Sequence, residues 1–361
     1  MQWLLLILII PYIYLLSRIY RRLTHIKSYH PQSVPALFLS VVVACRNEEK
    51  NLPVLLNYLS EQNYNSDLFE ILIIDDNSND NTSAIAIAFE GIKNLVVLKN
   101  SERGKKSAIR LGVSVSKGSL IVTTDADCRM GQSWLKTIAS FFEEYKPEMI
   151  ILPVGMEGGK GFFGRFQELE FLSLQGITAG TAFQGSPVMC NGANLAFTKE
   201  IYNRYSGNLH DELISGDDVF LLHEIKSNPE NKIMWLESAE VLVFTNTSES
   251  VSLFLRQRAR WISKAGAYKD RFTRVLGIVT FVTISLQLSL LISGIFYPVL
   301  LWVFLAAFLI KSSIDYLIVI NTATRYCKRQ LIKWFPLSEV IYPFYILLVV
   351  ISYFVTAEMK K

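Results

Sequence analysis

Charged residues are scarce in this chain. Only 19% of its 361 residues are Asp, Glu, Lys or Arg, while 51% are apolar. Mean hydropathy is +0.29, high for a soluble protein, and the excess sits at the two ends. That pattern points to membrane segments around a more ordinary middle. Cysteine is scarce too. Cys45, Cys128, Cys190 and Cys327 lie far apart with no Cys-x-x-Cys pair, which argues against a zinc site and fits reduced thiols in a cytosolic compartment. A large net charge is also lacking. The formal value is +4, and the bases Arg18, Arg21, Arg22 and Lys27 cluster beside an apolar run. Such clusters mark the cytoplasmic side of a bilayer, so nucleic acid is not expected as a partner. A P-loop is absent as well: Gly104-Lys105-Lys106-Ser107 carries the end of that pattern, but its first glycine would fall on Lys99.

The apolar segments organise the ends. Residues 3 to 16 are almost wholly apolar, with only Met1-Gln2 before them and the arginines after. A cleaved signal peptide has the opposite arrangement. The expectation is an uncleaved anchor over residues 1–20, its N-terminus outside and the following domain inside. Val275 to Ile292, Pro298 to Ile320 and Tyr342 to Val355 are apolar, giving a membrane region over 275–356 of about three helices. Lys311 and Asp315 interrupt the second run. Lone charges in lipid are costly, so they should pair at i,i+4 or face neighbouring helices. Arg325, Lys328, Arg329 and Lys333 form a basic loop expected inside, and the same topology puts Lys360-Lys361 outside.

The middle alternates. Ser40 to Ala44, Ile71 to Ile74, Leu95 to Leu98 and Ser119 to Val122 read as short buried strands. Between them, Leu52-Leu55-Leu56-Leu59, Thr82 to Phe89 and the stretch after Gly104 read as helices. Strands and helices in this order predict an α/β fold with a mostly parallel, covered sheet. Ligands of such sheets bind beyond the carboxyl ends of the strands. Three polar loops lie there: Arg46 to Glu49, Asp75 to Ser78 and Asp125 to Asp127.

Each loop supports two readings. Asp75-Asp76-Asn77-Ser78 either caps a helix through an Asx turn or turns one carboxylate toward a nucleobase. Asp125 and Asp127 are two residues apart at a strand end, so in an extended chain they point the same way. They suit a hard divalent cation carrying phosphates, or a solvated turn. Lys105 opens a helix, where anions are favoured, or is a solvated lysine. Gly161 to Leu174 is aromatic and amphipathic, suited to a membrane surface or to a core. Asn191 to Asn194 reads as a polar turn before a strand, suited to lining an acceptor site. Asp217-Asp218 opens a helix, as dipole partners or as a general base. Gln257-Arg258-Ala259-Arg260-Trp261 lies on a helix just before the membrane, where interfacial Arg and Trp are common.

Taken together and in order, Asp75-Asp76, Asp125-Ala126-Asp127, Asp217-Asp218 and Gln257-Arg258-Ala259-Arg260-Trp261 resemble the D, D, D, QxxRW signature of membrane-bound family 2 glycosyltransferases. That group has the GT-A fold, a mostly parallel, Rossmann-like sheet. The resemblance covers about residues 38–265 and implies a cytoplasmic catalytic domain with interfacial helices, in a multi-pass protein of the cell membrane. It implies inverting transfer of a sugar from a nucleotide diphosphate, most often UDP, to a lipid or glycan acceptor. By that resemblance Ala44, Arg46, Glu48, Asp75 and Asp76 line the nucleotide site, and Lys105 meets the diphosphate. Asp125 and Asp127 hold the nucleotide and Mg²⁺ or Mn²⁺. Asp218 is the general base, with Asp217 where the family often has Glu. Gln257, Arg258, Arg260 and Trp261 serve the acceptor and the departing diphosphate.

This chain departs from many relatives at Cys45-Arg46, where a Tyr-Asn type pair is common, and at Phe197-Thr198-Lys199, where no doubled arginine follows Asn194. The membrane part is small for threading a polymer, which favours transfer onto a lipid or lipid-linked glycan. Processive synthesis, with a partner subunit supplying a channel, is the nearest alternative. A transporter with a regulatory nucleotide domain would need more intramembrane polar residues than Lys311 and Asp315. A non-catalytic scaffold on the same fold is the remaining alternative.

Overall fold

The computed structural model describes residues 2–210, 213 and 215–358. Met1 and Lys360-Lys361, which the sequence reading puts outside the membrane, lie beyond the described residues. Contacts divide the chain into a helical unit (Met1–Ile26, Gly158–Val188, Thr247–Lys361) and a mixed unit (Lys27–Glu157, Met189–Asn246). The segments 158–188 and 247–265, expected in the catalytic domain as interfacial helices, therefore pack with the helical unit.

A 3₁₀ segment, Gln2–Ile9, leads into α1 (Ile10–His25). The mixed unit then runs β1 (Leu39–Cys45), α2 (Leu52–Ser60), β2 (Phe69–Asp75), α3 (Thr82–Ile87), β3 (Leu95–Lys99), α4 (Lys105–Val115), β4 (Leu120–Thr123), α5 (Trp134–Tyr145), β5 (Met149–Ile151) and β6 (Val154–Glu157). The chain leaves it for α6 (Gly161–Phe183) and returns as β7 (Leu195–Thr198), α7 (Lys199–Tyr205), α8 (Asp217–Lys226), β8 (Ile233–Trp235) and β9 (Val243–Asn246). It ends in α9 (Val251–Ile262), α10 (Arg271–Gly294), α11 (Val299–Arg325) and α12 (Phe335–Glu358).

The main sheet has the order β3-β2-β1-β4-β7-β5-β8. β1 pairs in parallel with β2 and with β4, and β3 lies parallel beside β2. β1, β2 and β4 are almost continuously buried, which is why their sequences read as unbroken apolar runs rather than alternating ones. The chain moves outward from β1 to β3, then crosses to β4 on the other side of β1. That reversal opens a crevice at the carboxyl ends of β1 and β4, the place where such sheets bind ligands. β7 departs from the parallel expectation: it runs antiparallel to both β4 and β5. It enters with Leu195 opposite Thr123, so the turn before it lies at the same end as Asp125. A two-stranded parallel sheet, β6 with β9, completes the unit, and Arg129 bridges to Phe244 beside it.

In the helical unit, among the described residues, four helices are long and apolar enough to cross a membrane: Gln2–His25, Arg271–Gly294, Val299–Arg325 and Arg329–Val355. They leave large apolar side chains exposed, among them Trp3, Ile278, Trp302, Leu309 and Phe354, a surface suited to hydrocarbon rather than water. α6 runs well past the expected Leu174, to Phe183, and is buried along most of its length. It is a core helix of this unit. A Cβ at Gly176 would strike Thr322 and Ile318, and one at Gly180 would strike Ile19, so these glycines let α6 approach α11 and α1 closely. Lys311 is 1% exposed. Its Nζ meets Asp315 Oδ2 at 2.6 Å, as the i,i+4 spacing predicted, and Glu339 Oε1 of α12 at 2.5 Å. Tyr12 of α1 donates to Asp315 Oδ1 at 2.7 Å.

Candidate active site

The loop after β1 is held by the loop after β2. Asn47 takes a left-handed φ of 57°, which Asn tolerates better than most residues. Its backbone N–H donates to Ser78 Oγ, and its side-chain oxygen accepts from the Asn79 N–H. The Glu48 N–H donates to Thr82 Oγ1 at 2.7 Å. Ala44 and Glu48 are half-buried there, while the Arg46 side chain is exposed. Asp75 and Asp76 divide their work. Asp75 Oδ1 accepts from the Ser78 N–H at 3.0 Å, an Asx turn that orders the loop. Asp76 Oδ1 accepts from Asn100 Nδ2 at 2.9 Å, and the Gly104 N–H reaches both Asp76 oxygens at 2.8 and 3.0 Å. Asp76 thus ties the start of α4 to the end of β2.

Beyond β4 the chain turns rather than extends: the Cys128 N–H donates back to the Asp125 carbonyl at 3.1 Å. The two carboxylates therefore sit on a turn, and each has a partner of its own. Asp125 Oδ1 meets Lys105 Nζ, and Asp127 Oδ2 accepts from Thr245 Oγ1 at 2.7 Å. They still feel one another. Burial first, then the Asp125 charge, holds the Asp127 carboxyl above the usual carboxylate range, against the Thr245 hydrogen bond. Glu48 is raised too, chiefly by burial and then by the charges of Asp127 and Asp125, against the hydrogen bond from Asn51. Burial would lower the Lys105 ammonium, but Asp125, Asp217 and Asp218 outweigh it and keep its pKa above the ordinary value.

This excess of carboxylate at one end of the sheet fits a hard divalent cation. Among the described residues no group of three or more His, Cys, Asp or Glu side chains could hold a metal alone. Asp125 and Asp127 would supply two oxygen ligands and leave the rest to water and phosphate, an arrangement Mg²⁺ favours.

Asp217 and Asp218 open α8 after Gly216, whose φ is 101°. Asp218 is anchored through both oxygens: Oδ2 accepts from the Gly192 N–H at 3.0 Å and Oδ1 from the Val219 N–H at 2.8 Å. Burial and the Asp218 charge raise the Asp217 carboxyl, with Lys105 pulling the other way. Lys105, Thr123, Gly192, Tyr202, Asp217 and Asp218 line one cleft. Lys105 and the two acidic motifs around it are thus brought together at the carboxyl end of β4. Local sequence did not reveal Gly192 and Thr245 as supports. Asn194 has a different role from the acceptor contact expected of its turn. It is fully buried, donates to the Pro153 and Val241 carbonyls at 2.7 Å each, and accepts from Trp134 Nε1 at 3.0 Å.

Gln257, Arg258, Arg260 and Trp261 lie on α9, in the helical unit. Arg258, read as a contact for acceptor or diphosphate, is 3% exposed. Its guanidinium donates to both Glu170 oxygens, at 3.0 and 2.5 Å, and to Gln257 Oε1 at 2.6 Å. It lies between the Phe254 and Trp261 rings, 4.5 and 4.1 Å from their centroids. Arg260 is exposed. Arg258 is therefore a packing and pairing residue of α9 on α6.

Residues 40–205 match the model of glycosyl transferase family 2. A stretch of 105 residues is 38% identical to the dolichyl-phosphate beta-glucosyltransferase of Homo sapiens, covering 26% of this chain and 32% of that protein. Another match, of 101 residues at 32% identity, is to the glycosyltransferase AglE of Haloferax volcanii, covering 27% and 33%. A third, of 138 residues at 28%, is to the beta-monoglucosyldiacylglycerol synthase of Nostoc, covering 37% and 29%. The matched stretch spans about a third of each relative's length. The fold is similar to that of the mannosyltransferase PcManGT from Pyrobaculum calidifontis, solved with GDP-Man and Mn²⁺. The TM-score is 0.60 at 16% identity, over 98% of this chain and 99% of that one.

Proposed function

With a family 2 glycosyl transferase domain over residues 40–205 as the premise, we propose that this protein moves a sugar from a nucleoside-diphosphate sugar to a lipid acceptor at the cytoplasmic face of a membrane. The observation that carries the reading is the meeting of Lys105, Asp217, Asp218 and the Gly192 backbone in one cleft at the sheet's carboxyl end, in a chain whose described residues include four helices apolar enough for a bilayer. The nucleotide sits over the β1 and β2 loops, against Ala44, Arg46, Glu48 and Asp75. Among the described hydrogen bonds Asp75 uses one oxygen for its own loop, which leaves the other for a nucleobase N–H. UDP is the first donor to test. The GDP-Man bound to the fold neighbour makes GDP-sugars the second.

Asp125 and Asp127 would hold Mg²⁺ or Mn²⁺, and that ion, when bound, would neutralise charge on the departing diphosphate. Lys105 adds its own charge to the same phosphates. Asp218, fixed by two backbone N–H groups, takes the proton from an acceptor hydroxyl as that oxygen attacks the anomeric carbon from the face opposite the leaving group. Asp217, raised by burial beside it, is the second carboxyl of the pair. Position and electrostatics supply most of the rate, and proton removal about 10²–10⁴-fold.

The test uses membranes containing the full chain, a panel of UDP- and GDP-sugars, and two acceptor classes: a glycerolipid hydroxyl and a polyprenyl phosphate. A phosphate oxygen is already deprotonated near neutral pH, so it needs no base. Asp218→Asn should therefore cost at least about 100-fold with a hydroxyl acceptor and much less with a phosphate. Loss of nucleotide binding in that variant would remove Asp218 from the base role. Absence of transfer from every donor by the folded wild type would favour the non-catalytic scaffold. A ladder of product lengths instead of a single addition would favour processive synthesis.

A further inference from the structure

Lys106, which follows Lys105 at the start of α4, takes no part in the chemistry above, yet it is buried, 8% exposed. A lysine is rarely buried without a dedicated partner. Its Nζ donates to two backbone carbonyls, Leu209 at 2.6 Å and His210 at 2.5 Å. Both lie in the segment that leads into α8 and so into Asp217-Asp218. Leu209 and His210 are themselves held from several sides. Leu209 is 1% exposed, and His210 sits at a left-handed φ of 54°. The His210 ring lies 4.7 Å from the ring of Phe220, one turn into α8, and Lys106 Nζ lies 5.4 Å from that same ring. The Leu213 N–H returns to the His210 carbonyl at 2.9 Å, and the Phe220 N–H to Gly216 at 2.8 Å.

We propose that Lys106 is a positioning residue that sets the acidic pair on α8 against the donor, and that the first turn of α4 links the two sides of the cleft. Three consecutive residues face three places. The Gly104 N–H holds Asp76 of the nucleotide loop, Lys105 meets Asp125, and Lys106 grips the entry to α8. A donor diphosphate that engages Lys105 would therefore act on the same turn from which Lys106 holds Leu209 and His210. This inference rests on the reading of Asp217 and Asp218 as the proton-handling pair.

The experiment compares Lys106→Met, Lys106→Gln and Lys106→Arg in the full chain, with nucleotide affinity, kcat and acceptor KM measured separately. Lys106→Met should leave nucleotide affinity within about twofold and lower kcat by about 10- to 100-fold, the scale of a misplaced catalytic group. Lys106→Gln should fall between Met and wild type, and Lys106→Arg should recover most of kcat. If Lys106→Met does not fold, the Gln and Arg pair carries the same test. Hydrogen exchange over residues 216–222, with and without UDP, adds a readout that needs no turnover. Nucleotide should slow exchange in the wild type and have less effect in Lys106→Met or Lys106→Gln. Wild-type kcat in the Met or Gln variant overturns the proposal, as does a loss of nucleotide affinity equal to the loss of kcat. An inactive wild type that still shows the exchange coupling rejects the proposed reaction but not the link.

Discussion

At the scale of single residues, the carboxylates of the candidate site are held by partners distant in the chain: Asp76 by the Gly104 N–H, Asp127 by Thr245 and Asp218 by the Gly192 N–H. Asp76 was legible as a loop carboxylate because it follows an apolar strand. Its bond to the Gly104 N–H depends on where α4 begins beside β2, which residue spacing alone does not give. Asp127 was legible as half of an Asp-x-Asp pair. Thr245, which holds it at 2.7 Å, lies 118 positions later on a strand that local sequence did not signal. Arg258 shows the reverse: its type suits a phosphate, and the structure buries it against Glu170. The cysteines allow a direct check of burial around these carboxylates. Burial and the nearby acidic charges push the Cys45 thiol up to about 12 and raise Cys128 as well, so neither is a thiolate near neutral pH, whereas Cys327 is exposed. Maleimide at pH 7 should label Cys327 in the native protein, and Cys45 and Cys128 only after denaturation. Peptide mass spectrometry reads the outcome, and native labelling at Cys45 or Cys128 would contradict the fold around the site.

At the scale of elements, the parallel core was readable because strands buried on both faces carry unbroken β-branched runs. β5, β8 and β9 are only three or four residues long, too short for a period to register. α6 was half readable. Its aromatic first half signalled a helix, but its second half, Gln175 to Ala182, is rich in Gly, Ala and Thr, which gives a weak hydrophobic signal. Those small residues are what close packing needs. Gly180→Leu should therefore destabilise the helical unit by about 1–3 kcal/mol through overpacking, since even a Cβ there lies 2.7 Å from the backbone oxygen of Ile19. Gly266→Ala, with nothing within 4 Å, should stay within about 0.5 kcal/mol. Thermal unfolding in detergent compares the two. Equal midpoints would mean that α6 and α1 are not in that contact.

At the scale of the whole molecule, the sequence suggested three successive blocks, and the contacts instead interleave two units. The chain changes unit after Ile26, Glu157, Val188 and Asn246, so each unit gathers segments far apart in sequence. Hydropathy marks apolar segments, not which distant segments share a core, and for that reason the division could not be read in advance. The Lys311 cluster tests the assembled helical unit. Lys311→Met leaves Asp315 and Glu339 buried without their cation, a change that costs about 3–5 kcal/mol in comparable buried pairs. The thermal midpoint in detergent should fall, and adding Glu339→Gln should restore part of it. An unchanged midpoint would mean that the cluster is solvated. Were α11 and α12 to cross a bilayer, the same cluster would also bear on how they enter it. A lone Lys or Asp at the centre of a helix opposes insertion by about 2.5–3.5 kcal/mol, but Lys311 and Asp315, one turn apart on α11, can enter already paired. Glu339 arrives later, on α12, and meets an ammonium already in place. Synthesis from the N-terminus presents the cation before its second anion, so α12, were it to cross a bilayer, would not carry a bare carboxylate into it.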